Sequence, residues 1–430
     1  MILTQNLIHG KDYPSKLEWF SYDNTHDFNL SIRKALAGGA SAASSPSPVG
    51  LATLLPKNGV LEGLALCVGH RIYVLRTKSG KLAKKSRSTS EDDKLLLSIC
   101  PRLVGIGMAR LALHIKHRLG YHVKGYELFD GCASGVDGDS PGQAVYASVD
   151  PTSDSFRIDR VWDIIPSKAN VEALENLCLR AWITMVIAKQ PSWNSHGCMP
   201  ADTTKIKEVH LSCIFRMIQE VHMVEAAKPR TNENDFSKVA VVKDGLLVIY
   251  NDRFKTRVRG SMKKPMKTKV ELTLEDESVH HGRVKGVNGR KTFINSKANV
   301  SSEVTRVRVI GREELSSAER AREYFILRIL QGREAMESPD LPFISRVWFP
   351  RGNKANPGKV KGAKLREGRN SYPLNQSQSN VVEAMLNSKA SIIVVHGPPG
   401  TGKTSTISVA IREWLALRKP VWAVAQSNVG

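Results

Sequence analysis

The segment from Ser391 to Thr404 reads SIIVVHGPPGTGKT, and no other stretch limits so strongly what its part of the chain can fold into. The apolar run Ser391 to Val395 predicts a parallel strand buried on both faces. Gly397, Gly400 and Gly402 follow, and from Lys403 and Thr404 a helical pattern runs through Ile407, Ala410, Ile411, Trp414 and Leu415 and ends before Pro420. A strand, a loop spaced G-x-x-x-x-G-K-T and a helix, in that order, predict a P-loop. Glycines let backbone N–H groups turn inward around phosphates at a helix N-terminus, where the helix dipole also favours an anion. Lys403 adds a point charge for the β- and γ-phosphates, and the Thr404 hydroxyl can complete a Mg²⁺ shell. The expected cofactor-binding residues of the loop are Gly397, Gly400, Thr401, Gly402, Lys403 and Thr404, with Thr404 reaching the metal through the nucleotide.

A P-loop by itself specifies only a nucleoside triphosphate, and its flanks say more. Leu374 to Gln378 reads LNQSQ upstream, and Val421 to Asn428 reads VWAVAQSN on the next expected strand. With these three segments in this order, residues 374–430 resemble superfamily 1 helicases of the nonsense-mediated-decay family. The resemblance implies the first strands of a RecA-like domain and ATP with Mg²⁺ as cofactors. It implies that Gln378 reads the adenine edge, its amide offering both a donor and an acceptor, and that Ser427 and Asn428 contact the nucleic-acid backbone. Gln426 and Gly430 stand where the family usually has proline and alanine.

The same resemblance implies single-stranded RNA or DNA as partner and, in the complete protein, ATP hydrolysis coupled to strand translocation. That chemistry needs a Walker-B acid pair and arginine fingers. After Thr404 the only acid is Glu413, inside the P-loop helix, so the expectation is a truncated helicase that binds nucleotide weakly and does not hydrolyse it. The alternative is a non-catalytic nucleic-acid-binding protein with a remnant P-loop.

Charge supports a polyanionic partner. Lysine and arginine number 63 against 41 acids, a net charge of +22. Lys238 to Arg369 holds 30 of these cations against 15 acids on less than a third of the chain. Two runs dominate: Arg253 to Lys269, with eight cations and no acid, and Arg346 to Arg369, with eight cations against Glu367. Arg257, Arg259, Lys263 and Lys264 are the candidate phosphate contacts; a merely solvated basic face is the competing reading.

The remaining composition narrows the class. Hydrophobic residues are 41% and charged residues 24%, values of a chain that folds, and its length suggests about three domains. The cysteines, Cys67, Cys100, Cys132, Cys178, Cys198 and Cys213, form no CxxC pair, so neither a disulfide framework nor a zinc module is legible and reduced, mostly buried thiols are expected. His196 with Cys198, and His280 with His281, lack partners at zinc spacing and are expected to be ordinary surface or turn residues. No apolar run approaches about 18 residues and no secretory leader is visible, which predicts an intracellular protein, cytoplasmic or nuclear, with no membrane partner.

The expected fold is multidomain α/β. Residues 1–200 form an α/β domain with a flexible small-residue loop at 37–48 and a hairpin around Gly69 and His70. Its helices are marked by Met108, Leu111, Ala112, Ile115 and Leu119 before Gly120, and by Leu174, Leu177, Cys178, Ala181, Met185 and Ala188. A stalk helix and linker occupy 201–235, with Ile206, Val209, Cys213, Met217, Val221 and Val224 as its apolar stripe. A small basic β-barrel follows at 236–311, built from runs such as VAVV, LLVIY, KVELTL and VTRVRVI. A second stalk helix at 312–335, capped by Ser316 with Glu319 and stopped by Gly332, leads to a basic linker at 336–373 and the incomplete P-loop domain at 374–430.

More faintly, VGLATLL from Val49, the hairpin after it, LVGIGMARLALHIKHRLG and the RAWITMVIA helix resemble the element order of DEDD-type 3′–5′ exonucleases, which have a ribonuclease H-like sheet. Such enzymes hold two metals with four acids. Here Ala52 and Leu54 occupy the first motif's acid positions, Arg110 and Leu111 stand near the second, and Arg180 near the last. The resemblance therefore implies a decayed, non-catalytic nuclease-like domain. An unrelated α/β interaction domain and a working nuclease are the alternatives.

Overall fold

The computed structural model describes residues 1–9, 12–38, 47–77, 91–129, 140–163, 165–191, 193, 198–227, 231–233, 236–242, 246–251, 269–296, 304–310, 317–336, 374–387, 393–418 and 420–421. They fall into two units, Met1–Glu334 and Ala335–Gly430. The fold is mixed α/β, with an eight-stranded mixed sheet and a curled seven-stranded antiparallel sheet in the first unit.

The mixed sheet holds β1 (Ile2–Thr4), β2 (Lys16–Tyr22), β3 (Val49–Leu54), β4 (Gly63–Val68), β5 (Arg71–Arg76), β6 (Leu103–Gly105), β7 (Lys124–Glu127) and β8 (Ala201–Asp202). Their order is β1-β2-β5-β4-β3-β6-β7-β8. β3, β4 and β5 form an antiparallel meander, and β6 and β7 extend it in parallel from the other side of β3. The expected hairpin is the β4–β5 turn, where Gly69 takes a φ of 61°. The helices of this part are α1 (Thr25–Gly38), α2 (Glu91–Lys94), α3 (Leu96–Ile99), α4 (Met108–Leu119), α5 (Pro141–Ser148), α6 (Ser155–Asp163) and α7 (Val171–Ala188).

All six residues of β3 are buried, as expected of a strand covered on both faces. Alternation turns Gly50, Ala52 and Leu54 toward α7 and Leu51 and Thr53 the other way. A Cβ at Gly50 would lie 2.0 Å from the Ala181 carbonyl oxygen, so the missing side chain is what lets α7 lie so close. On the opposite face Gly105, in register with Leu51, and Gly125 leave room for Met108 and Leu111 of α4. The Glu127 carboxylate accepts the N–H groups of Gly107 and Met108 at the start of α4, and Gly120 ends it with a φ of 76° and its N–H on the Lys116 carbonyl.

Two further helices, α8 (Glu208–Ala227) and α9 (Ser317–Leu330), flank the second sheet in sequence. The predicted stripe of α8 meets the buried face only at Cys213 and Val221. Val209 and Val224 are 63% and 49% exposed, while Leu211, Ile214, Phe215, Ile218, Val221 and His222 are buried. Apolar residues lie all round this helix, and packing against α4 and α9, which sequence periodicity does not see, selects the buried face. Gly332 stops α9 with a φ of 72°, as predicted; Ser316 lies outside the described residues.

The second sheet contains β9 (Thr231–Glu233), β10 (Phe236–Val242), β11 (Leu246–Asn251), β12 (Lys269–Leu274), β13 (Val279–Asn288), β14 (Lys291–Ser296) and β15 (Val304–Ile310), in the order β10-β11-β14-β13-β12-β15-β9. Its two edge strands, β9 and β10, are consecutive in the chain with two residues between them. Three virtual bonds reach about 11 Å, whereas six strand spacings in a flat sheet span roughly 29 Å. The sheet must therefore curl. Leu247, Ile249, Val270, Leu272, Leu274, Val284, Ile294, Val304 and Val307 fill its inside.

In the second unit, α10 (Gln376–Asn387) and α11 (Lys403–Ala416) are the described helices. The strand predicted at 391–395 is corrected where it is described: residues 391–392 lie outside the described residues, 393–395 belong to no sheet among them, and Val394 is 86% exposed. An extended run becomes a strand only when a neighbouring backbone takes its N–H and C=O groups, and no described strand does so here. Loop residues 39–46 and linker residues 337–373 lie outside the described residues.

Candidate nucleotide-binding loop

Val382 of α10 packs on Val409 and Ala410 of α11, with Leu374, Met385 and Leu386 at the edge of the cluster. This packing fixes Gln378, four residues upstream on α10, against the glycine loop that opens α11. Gln378 is locked at both ends of its amide: Oε1 accepts the Asn375 N–H at 2.9 Å, and Nε2 donates to the Thr401 carbonyl at 3.1 Å. Asn375 returns a bond, its Oδ1 accepting the Gln378 N–H at 2.9 Å. A Cβ at Gly402 would meet Gln378 Nε2 at 2.6 Å, so the glycine makes the contact possible.

The loop has the backbone that its sequence predicts. Gly400 and Gly402 take φ values of 80° and 73°, a region strained for any residue with a side chain. Gly402 is the N-cap of α11 and supplies no side-chain cap, so the first-turn N–H groups of Lys403, Thr404 and Ser405 have no intrahelical acceptor. Lys403 Nζ donates to the Gly397 carbonyl at 2.6 Å and to the Pro398 carbonyl at 2.7 Å, and Thr401 Oγ1 donates to Pro398 at 2.8 Å. Thr404 is exposed one residue into the helix, and Thr406 is buried with its hydroxyl on the Gly402 carbonyl. Inward-turning glycines, a helix N-terminus, an ammonium and a hydroxyl are the donor set that a Mg²⁺-bound phosphate tail requires, so these residues fit that group.

The nucleic-acid candidates are placed differently. Arg257, Arg259, Lys263, Lys264, Ser427 and Asn428 lie outside the described residues. The described cations of the curled sheet are ones the sequence reading passed over, among them Arg283, Lys285, Arg290, Lys291, Arg306 and Arg308. On β13, Gly282, Val284 and Gly286 turn inward and His281, Arg283 and Lys285 outward; two interior glycines hide this alternation from a search for apolar runs. Lys291 lies 5.3 Å from the centre of the Tyr250 ring.

The positions compared with nuclease acids also resolve. Ala52 and Leu54 are 5% and 1% exposed beneath α7. Arg110 is half-buried and bridges two helices: Nη1 donates to Glu225 of α8 at 2.6 Å and Nη2 to Glu323 of α9. The two carboxylates hold its guanidinium charged against the desolvation that opposes them. Arg180 Nε donates to the Val161 carbonyl at 2.8 Å. Beside Arg110, burial pushes the His114 imidazole down to about 3, helped by the positive ends of His222, Arg110 and His117. Among the described residues no three His, Cys, Asp or Glu side chains are grouped to hold a metal. The described cysteines, Cys67, Cys100, Cys178, Cys198 and Cys213, are buried and none is in a disulfide. No described helix is long and apolar enough to cross a membrane.

With this geometry in place, residues 373–430 match the family model described as an AAA domain. No curated protein matches the chain. The match supports a P-loop nucleotide-binding segment, in agreement with the Gly397–Thr404 loop.

Proposed function

We propose that residues 374–430 bind ATP with Mg²⁺ as the nucleotide-binding part of a superfamily 1 nucleic-acid helicase, with RNA the favoured strand. The observation that carries this reading is the seat of Gln378 on Thr401 and Gly402, which brings a base-reading amide to the phosphate loop. An amide side chain has two donors and two acceptor lone pairs. One of each is used on Asn375 and Thr401, which leaves one of each for the edge of an adenine.

Lys403 is the group that changes partners. Its ammonium would exchange the Gly397 and Pro398 carbonyls for phosphate oxygens, trading neutral acceptors for charged ones. Thr404 would turn its hydroxyl to the metal, and the first-turn N–H groups of α11 would meet the phosphate tail. ATP with Mg²⁺ supplies the phosphoanhydride bond whose cleavage drives such motors.

The helicases that residues 374–430 resemble place a β-barrel between two stalk helices before the first motor domain, and the curled sheet between α8 and α9 in sequence reads as that barrel, its outward cations facing a strand. Support comes from the edge strands, which two residues of chain hold near each other, and from His281, Arg283 and Lys285 on one face. For the N-terminal part, the strand order β5-β4-β3-β6-β7, with β4 alone antiparallel to its neighbours, supports a ribonuclease H-like sheet. Apolar residues at 52 and 54 and arginines at 110 and 180 support a non-catalytic role for it.

Competition against a fluorescent ATP analogue tests the reading. ATP is expected to displace the analogue better than GTP, with Gln378→Ala removing most of the preference. Equal displacement by all nucleoside triphosphates, unchanged in Gln378→Ala, would contradict the assigned role of Gln378. Binding of oligouridylate tests the basic sheet: about six phosphate contacts should give a slope of log affinity against log salt near −4, at about 0.7 per contact. A chain that bound oligouridylate and no nucleotide would favour the remnant P-loop instead.

A further inference from the structure

The first turn of α6 rests on the outward face of β13, and the contact has an unusual composition. Arg283 Nη2 donates to Ser155 Oγ at 3.1 Å and to Asp159 Oδ2 at 3.2 Å. The guanidinium carbon lies 4.7 Å from the centre of the Phe156 ring, and that ring stacks on the His281 imidazole at 5.8 Å with 26° between the planes. An arginine that receives single-stranded nucleic acid is engaged in the same two ways, by an anion on its N–H edge and a flat ring over its face, with a neighbouring ring to continue the stack.

The mimicry is anchored from the α6 side. Asp159 is 3% exposed; its Oδ1 accepts the Gly142 N–H at 2.7 Å and its Oδ2 the Ser140 hydroxyl at 3.0 Å. Beyond the covered spot the same sheet face continues with Lys285 and Arg306, both exposed, and with Arg308, which pairs with Glu271 at 3.4 Å across β12 and β15.

We propose that α6 from Ser155 to Asp159 is a built-in stand-in for one nucleotide, covering Arg283 and stacking on the exposed His281, and that single-stranded nucleic acid binds the full face of the curled sheet by displacing it. The contact is then an autoinhibitory cover: Asp159 occupies the place of a phosphate and Phe156 that of a base. This rests on the proposal that the curled sheet contacts nucleic acid.

The experiment measures anisotropy of a labelled oligouridylate with the full chain, its Phe156→Ala and Arg283→Ala variants, and amide hydrogen exchange of residues 155–163 in the wild type. Phe156→Ala leaves Asp159 its bonds to Gly142 and Ser140. It is expected to bind about fivefold tighter, the scale of one partly desolvated cation–π contact, with an unchanged salt slope, because the bound state makes the same phosphate contacts in both. Arg283→Ala should bind more weakly than wild type, and exchange across 155–163 should accelerate when the oligonucleotide is bound. Oligonucleotide binding with that exchange unchanged, or equal or weaker binding by Phe156→Ala, would overturn the cover while leaving the basic face standing. No binding by any of the three at low salt would remove the nucleic-acid reading of the sheet, and the cover with it.

Discussion

Around β3, a strand buried along its whole length lies between α7 and α4, with Trp182 and Trp193 among the largest buried side chains and Arg110 tying α4 to α8 and α9. Around the glycine loop, Val382, Val409 and Ala410 are the buried apolar residues that join α10 to α11. The first region is rich in packing and, among the described residues, has no grouped metal ligands; the second is rich in chemistry on a slight core. A phosphate loop needs little beyond two positive φ values, a helix start and one lysine, all local in sequence. A buried sheet needs long-range fit, and its stability lives in contacts between residues far apart in the chain.

The contrast can be broken most forcefully at Arg110. Arg110→Ala leaves the Glu225 and Glu323 carboxylates, each about a quarter exposed, facing each other without their shared cation, and the first unit is expected to lose about 3 kcal/mol. Urea unfolding followed by tryptophan fluorescence reads this, and nucleotide affinity should not move. Next comes Gly50→Ala, where backbone at Ala181 cannot yield to the new methyl group; a loss of about 1–3 kcal/mol is expected. Gly120→Ala has open space around it and a left-handed φ, so it should cost about 1 kcal/mol from strain alone. Equal losses at the two glycines would contradict the close approach of α7.

The His114 environment sharpens the comparison by pH. Its folded-state pKa, near 3, lies below the unfolded value near 6.5, so the unfolded chain takes up a proton that the folded chain refuses. The stabilising difference is therefore intact above about pH 6.5 and is lost as pH falls, by about 1 kcal/mol per pH unit between roughly pH 6 and 4. His114→Leu should flatten that slope, which melting curves across this range would show. The smallest effect is expected in the second unit: Val382→Ala should lower nucleotide affinity a few-fold by loosening α10, which carries Gln378, and leave melting of the first unit unchanged.

Legibility in the sequence follows the same divide. The stop of α4 at Gly120, the β4–β5 turn at Gly69 and the left-handed glycines of the loop were readable because each is decided by a few neighbouring residues. The buried face of α8 was readable only at Cys213 and Val221, because α4 and α9 choose it. β13 escaped because glycines hold two of its interior places, and the pairing of Arg283 with Asp159 escaped because 124 residues separate them. The three-residue strand β1 is too brief to show a pattern, and β2 and α1, of 7 and 14 residues, went unread because few apolar side chains mark their buried faces, Leu17 and Trp19 on β2 and Phe28 and Ile32 on α1. The run at 391–395 carries the composition of a buried strand, but among the described residues no neighbouring backbone pairs with 393–395 to make one.

The central claim is that the loop from Gly397 to Thr404 holds a nucleoside triphosphate through Lys403 and the start of α11. Titration calorimetry of MgATP into the 430-residue chain tests it most directly. One saturable site is expected, weakened at least about tenfold in Lys403→Ala and lost in Gly402→Ala, where the new Cβ strikes Gln378. No heat of binding from the wild type, or the same affinity in Lys403→Ala, would contradict it.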